Sequence, residues 1–325
     1  MKIHILDDWF DTLRSLPSFA ALANHEITVW NDHVQDTAQL AERLQDAEGL
    51  VLFRERTQIT GELLAALPKL RLISQRSVYP HVDVTACTEQ NVLLSSNMHS
   101  DTPSIAASEL TFALILASAR QIPQQMNSLK AGHWQMGVGQ TLSGRVLGLY
   151  GYGRIARQVA KYAQAFGMKT VWWGSEAGRA RAKSDGKNVA SSRADFFGNS
   201  DFVSLHVRLK PETKNIISAD DLTGMKPSAT FVNTSRSGLI VAGALGQALT
   251  AGRPGRLALD VFDVEPMTDA NDVIVNHPSV IATPHIGYVT EDELDLQFSD
   301  IYAQINAYAE GKPIHMANPE VWDAK

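Results

Sequence analysis

One turn constrains this chain more than any other feature. Val146-Leu147-Gly148-Leu149-Tyr150 reads as a buried strand, Gly151-Tyr152-Gly153-Arg154-Ile155-Ala156 as a turn of the form G-x-G-x-x-(G/A), and 157–166 as a helix. In a strand–turn–helix of this kind the first glycine makes the tight turn and the second lets the main chain approach a diphosphate. A small third residue lets the helix pack on its strand, and the helix N-terminus faces the phosphates. Gly151, Gly153 and Ala156 stand at those places, with Tyr152, Arg154 and Ile155 between them. A turn that holds no ligand uses the same glycines, but the flanking strand and helix supply the context a dinucleotide site requires.

At 325 residues the chain exceeds what one hydrophobic core ordinarily supports, so two domains are expected. Short apolar segments at 3–6, 27–30, 50–53, 70–74 and 92–95 read as strands. Helix-compatible segments at 11–23, 37–45, 61–67 and 82–90 lie between them. This alternation predicts a parallel sheet covered on both faces. A second cycle starts at Val146 and continues through 170–173, 202–206, 230–232, 257–260 and 280–282. The joining segment 105–119 is apolar almost all round, which predicts a helix buried on every side, as a central helix, a subunit contact or both. The last helical segment, 291–311, follows the final strand of the second cycle and can return to the first domain. The expected division is therefore 1–100 plus 291–325 for one domain, and 101–290 for the dinucleotide-binding one.

Bulk properties narrow the function classes. A formal charge of -6 argues against nucleic acid or an anionic membrane as partner. The single cysteine, Cys87, rules out an internal disulfide and a thiolate metal cluster, and it suits a reducing cytoplasm. Asp7 and Asp8 arrive too early for a secretory signal, and no apolar run is long enough to span a bilayer. The scattered histidines His4, His25, His33, His277 and His315 form no metal-ligand spacing, so no metal is expected.

A dinucleotide fold usually places an acidic residue at the end of the strand after the glycine turn, where it binds the ribose 2′-hydroxyl. Here that strand, 169–173, runs into Gly174 and Ser175, so no carboxylate stands where it would repel a 2′-phosphate. Arg179, Arg181 and Lys183 follow and could pair with such a phosphate. NADP is thus favoured over NAD, the alternative being a solvated helix face with Glu176 on the ribose. His206, Val207 and Arg208 close the next strand and are candidates for the cofactor side. His206 is equally readable as a hydrogen-bonded core histidine, and Arg208 as an exposed arginine.

Arg236, Glu265 and His285 each follow a strand of the second cycle, and ligands of open α/β sheets bind outside the carboxyl ends of the strands. Reduction of a carbonyl by hydride needs a proton donor, and histidine can cycle between acid and base near neutral pH. A carboxylate can orient that histidine, and an arginine can grip a substrate carboxylate with two parallel bonds. Taken singly, each of these residues is more often structural, because every loop after a strand carries polar side chains.

Three segments resemble the signatures of the D-isomer-specific 2-hydroxyacid dehydrogenase family. They are Val232-Asn233-Thr234-Ser235-Arg236, the run 258–266 ending in Glu265-Pro266, and Thr283-Pro284-His285-Ile286-Gly287. With 147–156 they stand in the family's order. The resemblance implies an α/β fold of two Rossmann-like, doubly wound parallel-sheet domains with an interdomain cleft. It also implies reversible reduction of a small 2-oxo acid to a D-2-hydroxy acid by NAD(P)H, glyoxylate- and hydroxypyruvate-like acids being favoured. A homodimer through the dinucleotide-binding domain is implied too. On this basis His285 is the acid/base, Glu265 its partner and Arg236 the clamp. Asp260 would hold the nicotinamide carboxamide, and Thr234, Ser235 and Gly287 would line the cofactor. Two departures stand out. The stretch after Arg236 places glycine at Gly238, one position from the family's usual place. In the first domain, Arg76, Ser77 and Val78 occupy the loop whose backbone would meet the substrate carboxylate, where many members carry glycine. Asn97, Met98 and His99 are further candidates to line the cleft. The alternatives are a cofactor-sensing, corepressor-like binding protein and a formate- or phosphite-type dehydrogenase. The absence of a longer N-terminal region and of a basic tail favours the acid reductase over both.

Overall fold

The structure is a computed structural model and describes residues 1–98 and 105–323, so that His99 lies outside the described residues. The chain divides into two compact units, Met1–Pro103 with Thr290–Lys325, and Ser104–Val289. Among the described residues no helix is long and apolar enough to cross a membrane.

The first unit is built on five parallel strands, β1 (Lys2–Ile5), β2 (Glu26–Val29), β3 (Gly49–Val51), β4 (Leu72–Arg76) and β5 (Leu93–Asn97). Their spatial order is β2-β1-β3-β4-β5, so the winding reverses between β1 and β3. Ile3, Ile5, Val51, Leu72, Ile73 and Leu93 are fully buried, as strands covered on both faces must be. Asp36, Thr60 and Asp83 cap the three short helices that follow them, each accepting a first-turn N–H. The helix Glu291–Ala309 packs along β4 and β5 and buries Leu294, Phe298, Ile301 and Ile305. The expected helix at 11–23 is instead two 3₁₀ segments, Leu13–Ser15 and Pro17–Leu22. Pro17 explains the break, since it holds Leu16 extended at ψ 142 and supplies no N–H to continue a helix.

In the second unit six parallel strands, β6 (Val146–Tyr150), β7 (Lys169–Trp173), β8 (Phe202–Leu205), β9 (Thr230–Asn233), β10 (Arg256–Leu259) and β11 (Val280–Ala282), lie in the order β11-β10-β9-β8-β6-β7. A parallel bridge between Trp172 and Val189 extends the sheet beyond β7. The winding therefore reverses between β6 and β8, at the glycine turn, which is the doubly wound arrangement. The helix Ala106–Arg120 packs on β9, β10 and the helix Arg154–Ala165, burying Phe112, Leu114, Ile115 and Ala119. It is not buried on every side, because Glu109, Ala113 and Arg120 are exposed. Ala113 hides an outward face from a reading that counts only apolar residues.

Candidate active site

At the glycine turn two different constraints operate. Gly151 sits at φ 111, and a Cβ there would lie 2.4 Å from the His206 carbonyl oxygen, so the protein's own backbone forbids a side chain. Gly153 is the residue before the helix Arg154–Ala165, and a Cβ on it would meet nothing within 4 Å. The space it leaves open lies at the helix's first turn, whose N–H groups have no partner within the helix. Ala156 is fully buried, which is what close helix–strand packing demands. The donor set and the open space fit a diphosphate. Beyond β7, Gly174 at φ 144 lies close to the Gly151 backbone, and Ser175 caps the next helix through Gly178 N–H. The Arg179 guanidinium stacks 4.2 Å from the Trp173 ring centroid and donates to Gly174 O at 3.2 Å. Glu176, Arg181 and Lys183 are exposed. The Tyr152 hydroxyl donates to Asp185 at 2.5 Å.

The chemistry-bearing residues follow three neighbouring strands. β9 ends at Asn233, which is almost fully buried; its side-chain oxygen accepts Ser235 N–H at 3.0 Å and its amide donates to Arg236 O at 2.9 Å. Ser235 Oγ donates to Val207 O at 2.6 Å, and Thr234 Oγ1 lies 2.7 Å from Thr111 Oγ1. The backbone on both sides of Arg236 is thus fixed, and its guanidinium donates to Ser235 O at 2.7 Å. From the β10 end, Glu265 Oε1 accepts Phe262 N–H at 2.9 Å, and Oε2 lies 2.6 Å from His285 Nδ1. Burial alone would raise the Glu265 carboxyl, but the His285 hydrogen bond and charge, the Phe262 N–H and the Arg236 charge together hold it below its ordinary value.

His285 follows β11 at φ 53, a left-handed conformation uncommon for a side-chain-bearing residue. What holds it there is Asp260. This fully buried carboxylate accepts Thr283 Oγ1–H at 2.6 Å, Ile286 N–H at 2.9 Å and Gly287 N–H at 2.9 Å, gripping the loop on both sides of the histidine. Burial pushes the Asp260 carboxyl above its ordinary value, against the pull of those donors and of the nearby His285 charge. With Nδ1 on Glu265, the remaining ring nitrogen of His285, Nε2, makes no hydrogen bond among the described residues.

Residues 112–287 match the model of the D-isomer specific 2-hydroxyacid dehydrogenase NAD binding domain. The chain belongs to the D-isomer-specific 2-hydroxyacid dehydrogenase family. It is 36% identical over 277 residues to a D-3-phosphoglycerate dehydrogenase of Methanocaldococcus jannaschii, a match covering 84% of this chain and 52% of that protein. It is 31% identical over 315 residues to a glyoxylate reductase of Thermococcus litoralis, covering 91% of this chain and 92% of the relative. A crystal structure of an oxidoreductase from Ralstonia solanacearum superposes with a TM-score of 0.94 at 42% identity, covering 99% of this chain and 98% of that one. The chain spans about half the length of the curated D-3-phosphoglycerate dehydrogenases it matches.

Within this dehydrogenase fold the other sequence candidates fall as follows. His206 Nε2 lies 2.9 Å from Ser204 Oγ, and burial lowers the ring to about 3, so it is neutral; its carbonyl forms the floor under Gly151. Val207 packs on the same glycine, and Arg208 is exposed. In the first unit the Arg76 guanidinium lies 2.7 Å from Asp300 and 3.6 Å from Glu293, both on the helix Glu291–Ala309. Ser77 sits at φ 81 with its N–H on Asn97 O at 3.0 Å, while Val78 is 37% exposed. Asp7 and Arg54 are also left-handed, each at φ 63, just beyond β1 and β3, the strands where this unit's winding reverses. Sequence reasoning missed Asn233 and Thr283 as fixing residues. Asn233 adjoins Thr234 and Thr283 lies two positions before His285, but their hydrogen bonds become visible only once the strand ends are placed.

Proposed function

We propose that this chain is an oxidoreductase that reversibly reduces a small 2-oxo acid to the D-2-hydroxy acid at the expense of NADPH, with glyoxylate- and hydroxypyruvate-like acids as favoured substrates. The observation that carries this reading is the 2.6 Å contact of His285 Nδ1 with Glu265 on a loop clamped by Asp260. A reduced nicotinamide, when bound at the glycine turn, supplies the hydride that reaches the carbonyl carbon. The chain's residues do the rest. Arg236 holds the acid's carboxylate, and the backbone of Ser77 and Val78 in the first unit helps to orient it. His285 gives the proton on Nε2 to the carbonyl oxygen, and Glu265 stabilises the charged imidazole before that transfer. In the oxidative direction the same nitrogen takes the proton back. Three of the four lone-pair sites of Asp260 are used by the His285 loop, leaving one for the nicotinamide carboxamide.

The preference for NADP over NAD is supported by Gly174 at the end of β7, where a carboxylate would stand for NAD, and by Arg179 held against Trp173 beside it. A homodimer through the dinucleotide-binding unit is supported by an exposed apolar stretch: Met126 is 53%, Leu129 59%, Trp134 76% and Val138 90% exposed. A cytoplasmic setting suits the lone Cys87, whose buried thiol is pushed up to about 12. A second reading, a phosphorylated acid of the phosphohydroxypyruvate type, is favoured by the relatives named D-3-phosphoglycerate dehydrogenase. The experiment is to follow oxidation of NADPH and of NADH with glyoxylate, hydroxypyruvate, pyruvate, phenylpyruvate and phosphohydroxypyruvate. Turnover with the two small acids and a lower KM for NADPH are expected. Tight NADPH binding with no turnover of any acid would favour a cofactor sensor instead.

A further inference from the structure

We infer that Gln75 and Ser96 are positioning residues that lock Ser77 in a left-handed conformation and so fix the Val78 N–H as a donor for the acid's carboxylate. The inference rests on the reading that this loop receives that carboxylate. Gln75 and Ser96 are paired neighbours on the parallel strands β4 and β5, and they are 0% and 4% exposed. Gln75 Nε2 donates to Ser77 O at 2.8 Å and to Ser96 Oγ at 2.6 Å, and Ser96 Oγ donates to Ser77 O at 2.6 Å. Every proton in this triangle is used once. The amide gives two, the hydroxyl takes one and gives its own, and the carbonyl accepts on both lone pairs. The amide cannot be flipped, because its oxygen would then face the Ser77 oxygen with no proton between them.

Ser77 needs such a clamp. It carries a side chain at φ 81, where only glycine sits without steric cost, so the loop would relax if left alone. Both of its main-chain groups are consumed inside the unit, the carbonyl by the two side chains and the N–H by Asn97 O at 3.0 Å. The next N–H groups, those of Val78 and Tyr79, make no hydrogen bond among the described residues. A left-handed residue followed by successive unpaired N–H groups is a concavity that suits an anion. The clamp also costs the core something. Gln75 and Ser96 bury polar atoms beside Leu72, Ile73, Leu93 and Leu94, in strands that also bury Ser74 and Ser95, and Gln75 Oε1 has no partner among the described residues.

The test uses the whole protein, saturating NADPH, hydroxypyruvate as substrate and oxalate as an unreactive acid. Gln75→Met and Ser96→Ala should each raise the KM for hydroxypyruvate by about tenfold and weaken oxalate in parallel, the loss of one oriented hydrogen bond to a carboxylate. Their kcat and NADPH affinity should change far less. Adding Ser77→Gly to Gln75→Met should recover part of the lost affinity, because glycine takes the same backbone angle without the clamp. A merely structural amide would not be rescued by that change. Unchanged KM and oxalate affinity in both variants would overturn the inference, as would an equal loss of NADPH affinity that Ser77→Gly does not repair. If Gln75→Met does not fold, Ser96→Ala alone decides. Should the wild type turn over no 2-oxo acid, the functional reading fails, while oxalate binding measured by tryptophan fluorescence still judges the clamp.

Discussion

Replacing Asp260 by asparagine should damage stability and rate together, by amounts that follow from its three hydrogen bonds. An asparagine oxygen can still accept from Thr283 and Ile286, but the amide nitrogen would then face Gly287 N–H, donor against donor. Losing one bond to a charged acceptor costs about 1.5–3 kcal/mol, and neutralising the other two weakens them. Removing a buried charge gives some of this back, because burial already disfavours the ionised carboxyl. A net loss of about 2 kcal/mol should lower the melting temperature of this unit by roughly 4–8 °C. The loop carrying His285 then loses its grip, and a displacement of about 1 Å at a proton donor lowers kcat by about a hundredfold. Calorimetry and steady-state kinetics on the same preparation read both quantities. A variant that melts like the wild type and turns over at the wild-type rate would refute the positioning role.

Other expectations concern neighbouring groups. Glu265 is held below its ordinary value of 4.5, so the stability its pair contributes is present above that pH and fades as pH falls through the lowered folded value. The melting temperature of the wild type should therefore exceed that of Glu265→Gln near neutrality, with the gap closing in acid; a gap constant with pH would contradict the ion pair. Arg236→Ala should raise the substrate KM and lower kcat together, by about a hundredfold or more in kcat/KM, as expected for loss of a charged clamp. An unchanged kcat/KM would remove Arg236 from the site. Arg179→Ala should weaken NADPH by about tenfold and leave NADH nearly unaffected, the signature of a lost phosphate contact; equal effects on both cofactors would point to packing on Trp173 instead.

Much of the fold was readable because its signals are local. Each strand is a short apolar run, and the glycine turn is six consecutive residues whose roles follow from backbone geometry. The residues proposed for the second unit's site could be located for a related reason, since Arg236, Glu265 and His285 lie close behind strands that the pattern locates. What stayed hidden depends on pairs distant in sequence. Arg76 belongs to the loop proposed to meet the substrate, yet its guanidinium meets Glu293 and Asp300 on a helix from the far end of the chain. The Gln75–Ser96 contact requires the register of β4 on β5. Asp260 reads as an acid at a strand end, but its grip on the His285 loop requires the ends of β10 and β11 side by side. Pro17 was a visible break in an otherwise helical pattern, and its effect on Leu16 decided the local structure.

Proton transfer from His285 to the carbonyl oxygen is the central step of the proposed reaction. Rapid mixing of the enzyme–NADPH complex with hydroxypyruvate, followed by absorbance, measures that step in the wild type and in His285→Ala. The prediction is a single-turnover rate lower by about 10²–10⁴-fold in the variant, the usual worth of general acid catalysis, with NADPH affinity unchanged. Equal rates in the two proteins would contradict it.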